Sequence, residues 1–227
     1  YYGKKMKDYS TYIFDLDGTL VDTAPDLGLA LNLQRQKHGL QDLPIDVIRP
    51  YASHGSKGLL SIGFGLSYKD DLFHAMRIEY LDFYDEVFTR NPVLFDGVPE
   101  LLDFIESQSM QWGVVTNKPR RFSAPLINAI GIAERMACLV CGDDAEKPKP
   151  APDTLFLACK LADANPEDCF YVGDAERDIQ AGNAAGMKTV VAMYGYLDEK
   201  DRPHEWGAHH FIDDAREMIG LINQFGH

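Results

Sequence analysis

Two aspartates follow the first apolar run of the chain at a spacing that suits paired acid chemistry. The stretch YIFDLDGTLVDTAPD, residues 12–26, reads as a buried strand that leads into Asp15 and Asp17. Strand alternation places residues two apart on the same side, so we expect both carboxylates to face one cleft. One carboxylate can act as a nucleophile and the other as an acid/base, and one pKa should rise unless a cation compensates the pair.

Other polar groups follow further apolar runs. Thr116 and Asn117 come after WGVV, and Gly173 and Asp174 come after FYV. Lys149 lies in the proline-rich loop EKPKPAPD, just before a predicted helix. Because ligands of doubly wound sheets bind at the carboxyl ends of the strands, we expect these groups to converge on one site.

The elements that must position these residues alternate between strands and helices. Five short runs rich in Val, Ile and aromatic residues read as buried strands: TYIFDLD, WGVVTN, ACLVCGD, CFYVGD and KTVVAMY. Apolar residues recur at helical spacing in two further segments, at Val98, Leu101, Leu102 and Ile105 with Pro99 in the first turn, and at Ala215, Met218, Ile219 and Ile222. The pattern predicts an α/β fold, a Rossmann-like doubly wound parallel sheet wrapped by helices.

A long helical stretch separates the first predicted strand from the second. Its clearest apolar stripe consists of Leu72, Met76, Tyr80, Phe83 and Val87. One crossover helix would not need so many residues, so we predict an inserted helical cap domain. The prediction is a discontinuous core of residues 6–22 and 93–227, with the cap at residues 23–92.

Composition and charge narrow the class of partner. Apolar residues make up 45% and charged residues 25% of the 227-residue chain, which is typical of a soluble globular protein. With 35 acidic and 22 basic residues the formal net charge is −13, which argues against nucleic acid or an anionic membrane as the main partner. No apolar run reaches the length of a membrane span, and we expect a cytoplasmic protein.

The four cysteines favour packing over metal or redox chemistry. Cys138 and Cys141 form a CxxC inside the apolar run ACLVCG, and Cys159 and Cys169 stand alone. With no second CxxC and no clustered histidines, reduced cysteines in a cytosolic core are the favoured interpretation over zinc or redox chemistry.

Four segments together resemble a known family. DLDGT (15–19), VVTN (114–117), KPAP (149–152) and GDAERD (173–178) resemble the four ordered motifs of the haloacid dehalogenase superfamily of phosphatases. The resemblance covers essentially the whole chain. It implies a phosphomonoester hydrolase with a Rossmann-like core and a helical cap.

The resemblance assigns the central roles. It implies that Asp15 is the nucleophile that forms an aspartyl-phosphate, and that Asp17 protonates the departing alcohol and later activates water. It also implies Mg²⁺ as the cofactor, held by the carboxylates of Asp15 and Asp174 and by the backbone carbonyl of Asp17. Mg²⁺ is a hard cation that prefers such oxygen ligands.

The second motif is expected to bind the phosphoryl oxygens. The resemblance implies that Thr116 donates its hydroxyl and Asn117 its backbone N–H, at the start of a helix where donors are free. Thr116 could equally serve as an N-terminal cap, with Pro119 as an early helical residue. Both roles are compatible.

The third and fourth motifs supply charge. Lys149 is chosen as a phosphate ligand over Lys147 because KPAPDTL resembles the family pattern, and Lys147 is expected to be a solvated neighbour. Asp178 is predicted to support the metal waters or Lys149 from behind the ligands. Its alternative role is a helix N-terminal charge that interacts favourably with the macrodipole.

Two glycines are expected to allow close approach of the backbone to the site. Gly18 lies beside the expected phosphate position, and Gly173 immediately precedes a predicted metal ligand. Four other glycines are interpreted as turns or helix ends: Gly97, Gly131, Gly186 and Gly195.

The cap is expected to choose the substrate. The segment YASHGSKGLL (51–60) is predicted to be a glycine-rich loop between helices that reaches the active site with Ser53, His54, Gly55 and Lys57. Lys57 or His54 could bind a substrate carboxylate, although a solvated lysine and a packing histidine are equally good interpretations. A cap of this kind suits a small phosphorylated metabolite and not a large polymer.

Closer resemblance leaves two substrates open. TNKP, FDGVPELL and YGY resemble the phosphoglycolate phosphatases, and YGYLDEKDRPHEWGA and LACK resemble the N-acetylmuramate 6-phosphate phosphatases of cell-wall recycling. Asp17 argues against a dehalogenase or phosphonatase. A sugar phosphomutase and a non-catalytic binding module stay as alternatives, and the assembly is expected to be a monomer or a homodimer.

Overall fold

A computed structural model describes residues 9–225 of the chain. The strands are β1 (Thr11–Phe14), β2 (Val21–Asp22), β3 (Val93–Leu94), β4 (Gln111–Val115), β5 (Cys138–Val140), β6 (Cys169–Gly173), β7 (Lys188–Ala192) and β8 (His210–Ile212). The α-helices are α1 (Ala24–Lys37), α2 (Ile45–Ile48), α3 (Gly55–Phe64), α4 (Phe73–Val87), α5 (Val98–Ser107), α6 (Arg120–Ala129), α7 (Asp153–Leu161), α8 (Glu176–Ala185) and α9 (Glu217–Phe225). Short 3-10 helices lie at Arg49–His54, Ala133–Arg135, Pro166–Asp168 and Pro203–Glu205.

Six strands form one parallel sheet in the order β5-β4-β1-β6-β7-β8. The first strand is central, because Thr11 pairs with Gln111 on one side and with Cys169 on the other. The predicted α/β fold is confirmed, and the five predicted strands are β1, β4, β5, β6 and β7. The edge strand β8 was missed, because three residues are too few to show a period.

Alternation along β1 divides the core between the two faces of the sheet. Tyr12 and Phe14 belong to one apolar cluster, which includes residues of α5 and α9. Ile13 belongs to the other cluster, which includes residues of α7 and α8. Both faces are therefore covered by helices, and this explains why β1 is apolar throughout.

The helices between β2 and β3 pack on one another around their own apolar cluster, which includes Leu31, Leu60 and Tyr80. The stripe predicted on this segment is only partly right, since α4 begins at Phe73 and Leu72 is 66% exposed. At the junction with the sheet, β2 and β3 form a short antiparallel pair that the sequence did not reveal. The division into 6–22, 93–227 and 23–92 stays a prediction, and residues 6–8 and 226–227 fall outside the described part of the chain.

The predicted packing of the cysteines agrees with the structure. All four cysteines are free and buried. Within residues 9–225, no helix combines the length and the apolar character needed to cross a membrane.

Candidate active site

The first two aspartates lie at the carboxyl end of β1, but strand alternation is not what brings them together. The strand ends at Phe14, and Asp15 extends it by one backbone hydrogen bond, from its N–H to the Val172 carbonyl at 2.9 Å. The chain then turns, with Gly18 at a φ of +85°, so Asp17 lies in the turn beyond the strand. Both aspartates still line one cleft of about 840 Å³ between the sheet and the helices of residues 23–92.

Lys149 connects the carboxylates beneath this cleft. Its ammonium is fully buried and lies 2.9 Å from Asp15 Oδ1 and 2.7 Å from Asp178 Oδ1. It also donates to the Tyr171 hydroxyl at 2.7 Å and to the Val115 carbonyl at 3.0 Å. Lys147, the alternative in the same loop, is exposed.

Three buried carboxylates meet next to the ammonium group. Ligand oxygens of Asp15, Asp174 and Asp178 all lie within 4.8 Å of one another. Burial, reinforced by the charge of Asp178, raises the pKa of Asp15 to about 6, although Lys149 opposes the rise. Burial and the charges of Asp15 and Asp178 raise the pKa of Asp174 to about 7.

Asp178 differs from the other two carboxylates. Burial raises its pKa, but Lys149 and Arg177 more than offset the effect, and the pKa is lowered overall. Its second oxygen accepts the N–H of Ala175 at 3.0 Å, at the start of α8. Asp178 therefore stays ionised and is held by Lys149 and by the helix start, where negative charge is favourable.

Asp174 is held by three separate segments of the chain. Its oxygens accept the Thr19 hydroxyl at 3.3 Å, the Ser53 hydroxyl at 2.7 Å and the Tyr196 N–H at 2.9 Å. Glycine is required on both sides of it, since a Cβ at Gly18 would lie 2.2 Å from Asp174 Oδ2 and one at Gly195 2.3 Å from Asp174 Cβ. Interpreting Gly195 merely as a turn was incomplete.

The second motif is arranged differently from the prediction. Helix α6 begins only at Arg120, and Pro119 precedes it in an extended conformation, so neither Asn117 nor Pro119 lies in a helix. Thr116 is buried, lines the cleft and accepts the Lys118 N–H at 3.1 Å. The Asn117 side chain clamps the backbone of Lys149, donating to its carbonyl at 2.8 Å and accepting its N–H at 3.0 Å. The amide thereby positions the lysine loop.

The cap segment predicted to be a glycine-rich loop is helical. Residues 51–54 complete a 3-10 helix, and α3 follows directly from Gly55, which has a φ of +58°. Gly58 serves close packing, because a Cβ there would lie 2.6 Å from His54 Cβ. The candidate residues Ser53, His54, Gly55 and Lys57 all line the cleft.

Two cations and a tyrosine of the site had no role assigned from the sequence. Lys118 donates to Asp17 Oδ1 at 2.8 Å, and Arg177 donates to the Ser53 carbonyl at 2.7 Å. The Tyr196 hydroxyl donates to Asp22 and accepts the N–H groups that begin α1. Lys118 lies inside the motif TNKP and Arg177 inside GDAERD. Their position within these motifs was the one feature of the sequence that could have indicated a role in the site.

The donor set suits a hard divalent cation. The three carboxylates offer only oxygen ligands, and burial together with the charges of neighbouring carboxylates raises the pKa values of Asp15 and Asp174, which a bound cation would offset. Asp178 already binds Lys149 through one oxygen and the Ala175 N–H through the other. Asp174 accepts only from neutral donors among the described residues, and Asp15 binds Lys149 through Oδ1 and keeps Oδ2 for another partner, so these two are the carboxylates best suited to a metal ion.

Comparisons with known proteins identify relatives over nearly the whole chain. A family model described as haloacid dehalogenase-like hydrolase matches residues 12–192. The N-acetylmuramic acid 6-phosphate phosphatase of Pseudomonas aeruginosa is 40% identical over 97% of each chain, and a phosphoglycolate phosphatase of Xanthomonas campestris is 35% identical over 91% of this chain and 93% of that one. A crystal structure of a predicted phosphoglycolate phosphatase from Haemophilus somnus superposes with a TM-score of 0.80 at 25% identity, covering 96% of this chain and 99% of that one.

The fold is a parallel sheet flanked by helices, with further helices inserted between β2 and β3, and a cluster of buried carboxylates lies at the carboxyl ends of its strands. The chain belongs to the haloacid dehalogenase-like hydrolase family. The expectation of a phosphatase from this family is confirmed, since the relatives that it matches over nearly their whole length are named phosphatases.

Proposed function

We propose that this phosphatase hydrolyses N-acetylmuramate 6-phosphate, a sugar phosphate that also carries a carboxylate. The observation that supports it most is the cleft of about 840 Å³ above Asp15, which is flanked by cations beyond those that a phosphoryl group requires. 2-Phosphoglycolate is the second candidate, because Lys118 next to Asp17 could bind a carboxylate two carbons from the phosphate.

The core residues support a two-step transfer. Asp15 would attack phosphorus and form an aspartyl-phosphate, while Asp17 gives its proton to the departing sugar oxygen. Asp17 would then take a proton from water, which attacks the aspartyl-phosphate and releases inorganic phosphate. Lys149 and the Thr116 hydroxyl would stabilise the charge on the phosphoryl oxygens.

We propose Mg²⁺ as the cofactor. Asp15, Asp174 and the backbone carbonyl of Asp17 would hold it, and it would neutralise charge on the phosphoryl group and between the carboxylates. Asp178 would support the site indirectly, because its ion pair with Lys149 holds that lysine against Asp15.

We also propose that residues 23–92 act as a cap. The cap lines the cleft with four aromatic rings, those of Tyr68, Phe73, Tyr80 and Tyr84. Phe122 lines the cleft from the core. These apolar surfaces suit the ring and acetyl group of an amino sugar. A two-carbon acid phosphate would fill only a small part of the volume.

Two cap cations are suited to the sugar's carboxylate. The Lys57 ammonium lies 4.1 Å from the centre of the Tyr68 ring, and Arg77 Nε donates to Ser56 Oγ at 3.1 Å. In the described part of the chain neither forms an ion pair with a carboxylate, whereas Lys118 pairs with Asp17 and Arg121 with Asp85. Unpaired cations in the cleft of a protein with net charge −13 support an anionic substrate group at this position. Ser53, His54 and Gly55 would complete this wall.

A phosphate-release assay with Mg²⁺ tests the proposal. The panel comprises N-acetylmuramate 6-phosphate, 2-phosphoglycolate, N-acetylglucosamine 6-phosphate and glucose 1-phosphate. We expect the highest kcat/KM for the first compound. A higher value for 2-phosphoglycolate would favour the second candidate, conversion of glucose 1-phosphate without phosphate release would indicate a mutase, and no turnover at all would support a binding module.

The cation assignment is tested with a matched pair of sugars, because N-acetylglucosamine 6-phosphate lacks only the carboxylate-bearing ether. Lys57→Met and Arg77→Met should each lower kcat/KM for N-acetylmuramate 6-phosphate by about tenfold and leave the other sugar unchanged. Lys69→Met is the control, since Lys69 also lies over the Tyr68 ring but outside the cleft. Equal losses on both sugars would contradict the assignment.

A further inference from the structure

A pair of hydrogen bonds joins the cap to the core at Ser53. The Ser53 hydroxyl donates to Asp174 Oδ2 at 2.7 Å, and the Ser53 carbonyl accepts from Arg177 Nη2 at 2.7 Å. Both core partners come from the segment that follows β6, while Ser53 lies more than a hundred residues earlier in the chain. We call these two bonds the Ser53 latch.

The latch lies at the end of a helix, where an arginine has a physical reason to bind. Ser53 is in the last turn of the 3-10 helix Arg49–His54, and α3 begins directly after it. The last carbonyls of a helix lack intrahelical partners and carry partial negative charge, so a cation there is stabilising. At the other end of the same 3-10 helix, Arg49 binds Asp22 at 2.8 Å. The short helix is thus tied to residues outside it at both ends.

Among residues 9–225, Arg177 forms no direct ion pair with the carboxylates around it. Its strongest charge interactions are with Asp178, Asp15 and Asp174, but the hydrogen bond that its guanidinium makes is to the Ser53 carbonyl. Arg177 also lines the cleft beside Ser53 and His54. An arginine fixed in this way ties the position of the cap segment to the site in the core.

We propose that Arg177 is a positioning residue that holds the cap segment Ser53–Lys57 closed over the active site. The assignment deepens the proposed function, because His54 and Lys57 belong to the wall that would contact the substrate. Without the latch, the closed arrangement is less populated before substrate binds. Apparent affinity then falls in proportion to the closed fraction, while the rate at saturation is kept.

The first test measures the cap directly and needs no substrate. In Arg177→Met, amide hydrogen exchange in residues 49–60 should accelerate about tenfold relative to the parent protein, with no change in β4 and β7. Arg177→Lys keeps the charge and one donor, so it should restore most of the protection. Arg135→Met removes the same charge from an arginine that pairs with Asp103 and Glu106 on α5, and it should leave exchange in the cap unchanged.

The second test uses steady-state kinetics on N-acetylmuramate 6-phosphate. Arg177→Met should raise KM about tenfold with a smaller fall in kcat, because its charge also acts on Asp15 and Asp178, and Arg177→Lys should restore KM. Unchanged exchange in residues 49–60, uniform acceleration across the chain, or a loss confined to kcat would each overturn the inference. If the parent protein does not hydrolyse this sugar phosphate, the proposed function fails, while the exchange experiment still decides whether the latch exists.

Discussion

Replacing Lys149 with methionine removes the ammonium that pairs with two buried carboxylates, Asp15 and Asp178. The ammonium has four oxygen atoms within 3.0 Å, two of them on Asp15 and Asp178. Methionine would leave both carboxylates buried without this partner. Breaking a buried ion pair from one side costs about 3–5 kcal/mol, so we expect the free energy of unfolding to fall by that amount at pH 8.

The loss should depend on pH in a defined direction. Lys149 opposes the rise in the pKa of Asp15, so its removal raises that pKa above about 6. The folded variant then binds more protons than the folded parent near neutral pH, and its stability falls more steeply as pH increases. The destabilisation should be smaller at pH 5 than at pH 8 by at least about 1 kcal/mol.

Urea unfolding of the metal-free protein at both pH values measures this difference. Lys147→Met is the control, because Lys147 is exposed in the same loop, and its effect should stay below about 0.5 kcal/mol. A Lys149→Met loss below 1 kcal/mol, or one equal at both pH values, would refute the argument. For activity, the same variant should lose about 10²- to 10³-fold in kcat.

Three further predictions concern the carboxylates and their surroundings. Asp15→Asn should lower phosphate release at least about 10³-fold while the circular dichroism spectrum stays native, and Asp17→Asn should accumulate protein-bound phosphate that an acid quench detects. Because the folded pKa values of Asp15 and Asp174 exceed the ordinary 3.8, metal-free stability should fall as pH rises from about 4 to 7, and Mg²⁺ should raise Tm more at pH 8 than at pH 5. Gly195→Ala should cost about 1–3 kcal/mol and weaken Mg²⁺ binding, whereas Gly220→Ala, with open space around it, should be neutral or stabilising. Equal increases in Tm with Mg²⁺ at pH 5 and pH 8 would contradict the pKa argument. A Gly195→Ala variant as stable as the parent protein would contradict the packing argument.

The core of the site could be predicted because its residues follow strands of one parallel sheet. Three residues come directly after adjacent parallel strands: Asp15 after β1, Thr116 after β4 and Asp174 after β6. Because the strands are parallel, their carboxyl ends lie at the same edge of the sheet, and the three side chains are close together. The rule that ligands bind at the carboxyl ends of parallel strands was sufficient to predict these positions. Strand alternation was not the correct reason for Asp17, because a turn that begins after Phe14 brings it to the cleft.

The cap segment was harder to predict, because glycine has two opposite uses. In 51–60 the glycines suggested a loop between helices, yet Gly58 lies in α3, where the absence of a side chain allows close contact with His54. Sequence alone does not distinguish a glycine that permits a turn from one that permits close packing. The contact between Arg177 and Ser53 could not be predicted from a local sequence pattern, because the two residues belong to different domains of the predicted architecture.

The residues around Asp174 explain why cap and carboxylate chemistry belong to one unit. Tyr196 donates its N–H to Asp174, and its hydroxyl binds Asp22 and the first N–H groups of the cap. Ser53, which belongs to the cap segment, donates its hydroxyl to the same Asp174 oxygen that accepts the Tyr196 N–H. A movement of the cap therefore changes the hydrogen bonds of a carboxylate that we expect to bind the metal. Under our proposal that residues 23–92 act as a cap, substrate enclosure and the charge state of the site would be linked through Asp174.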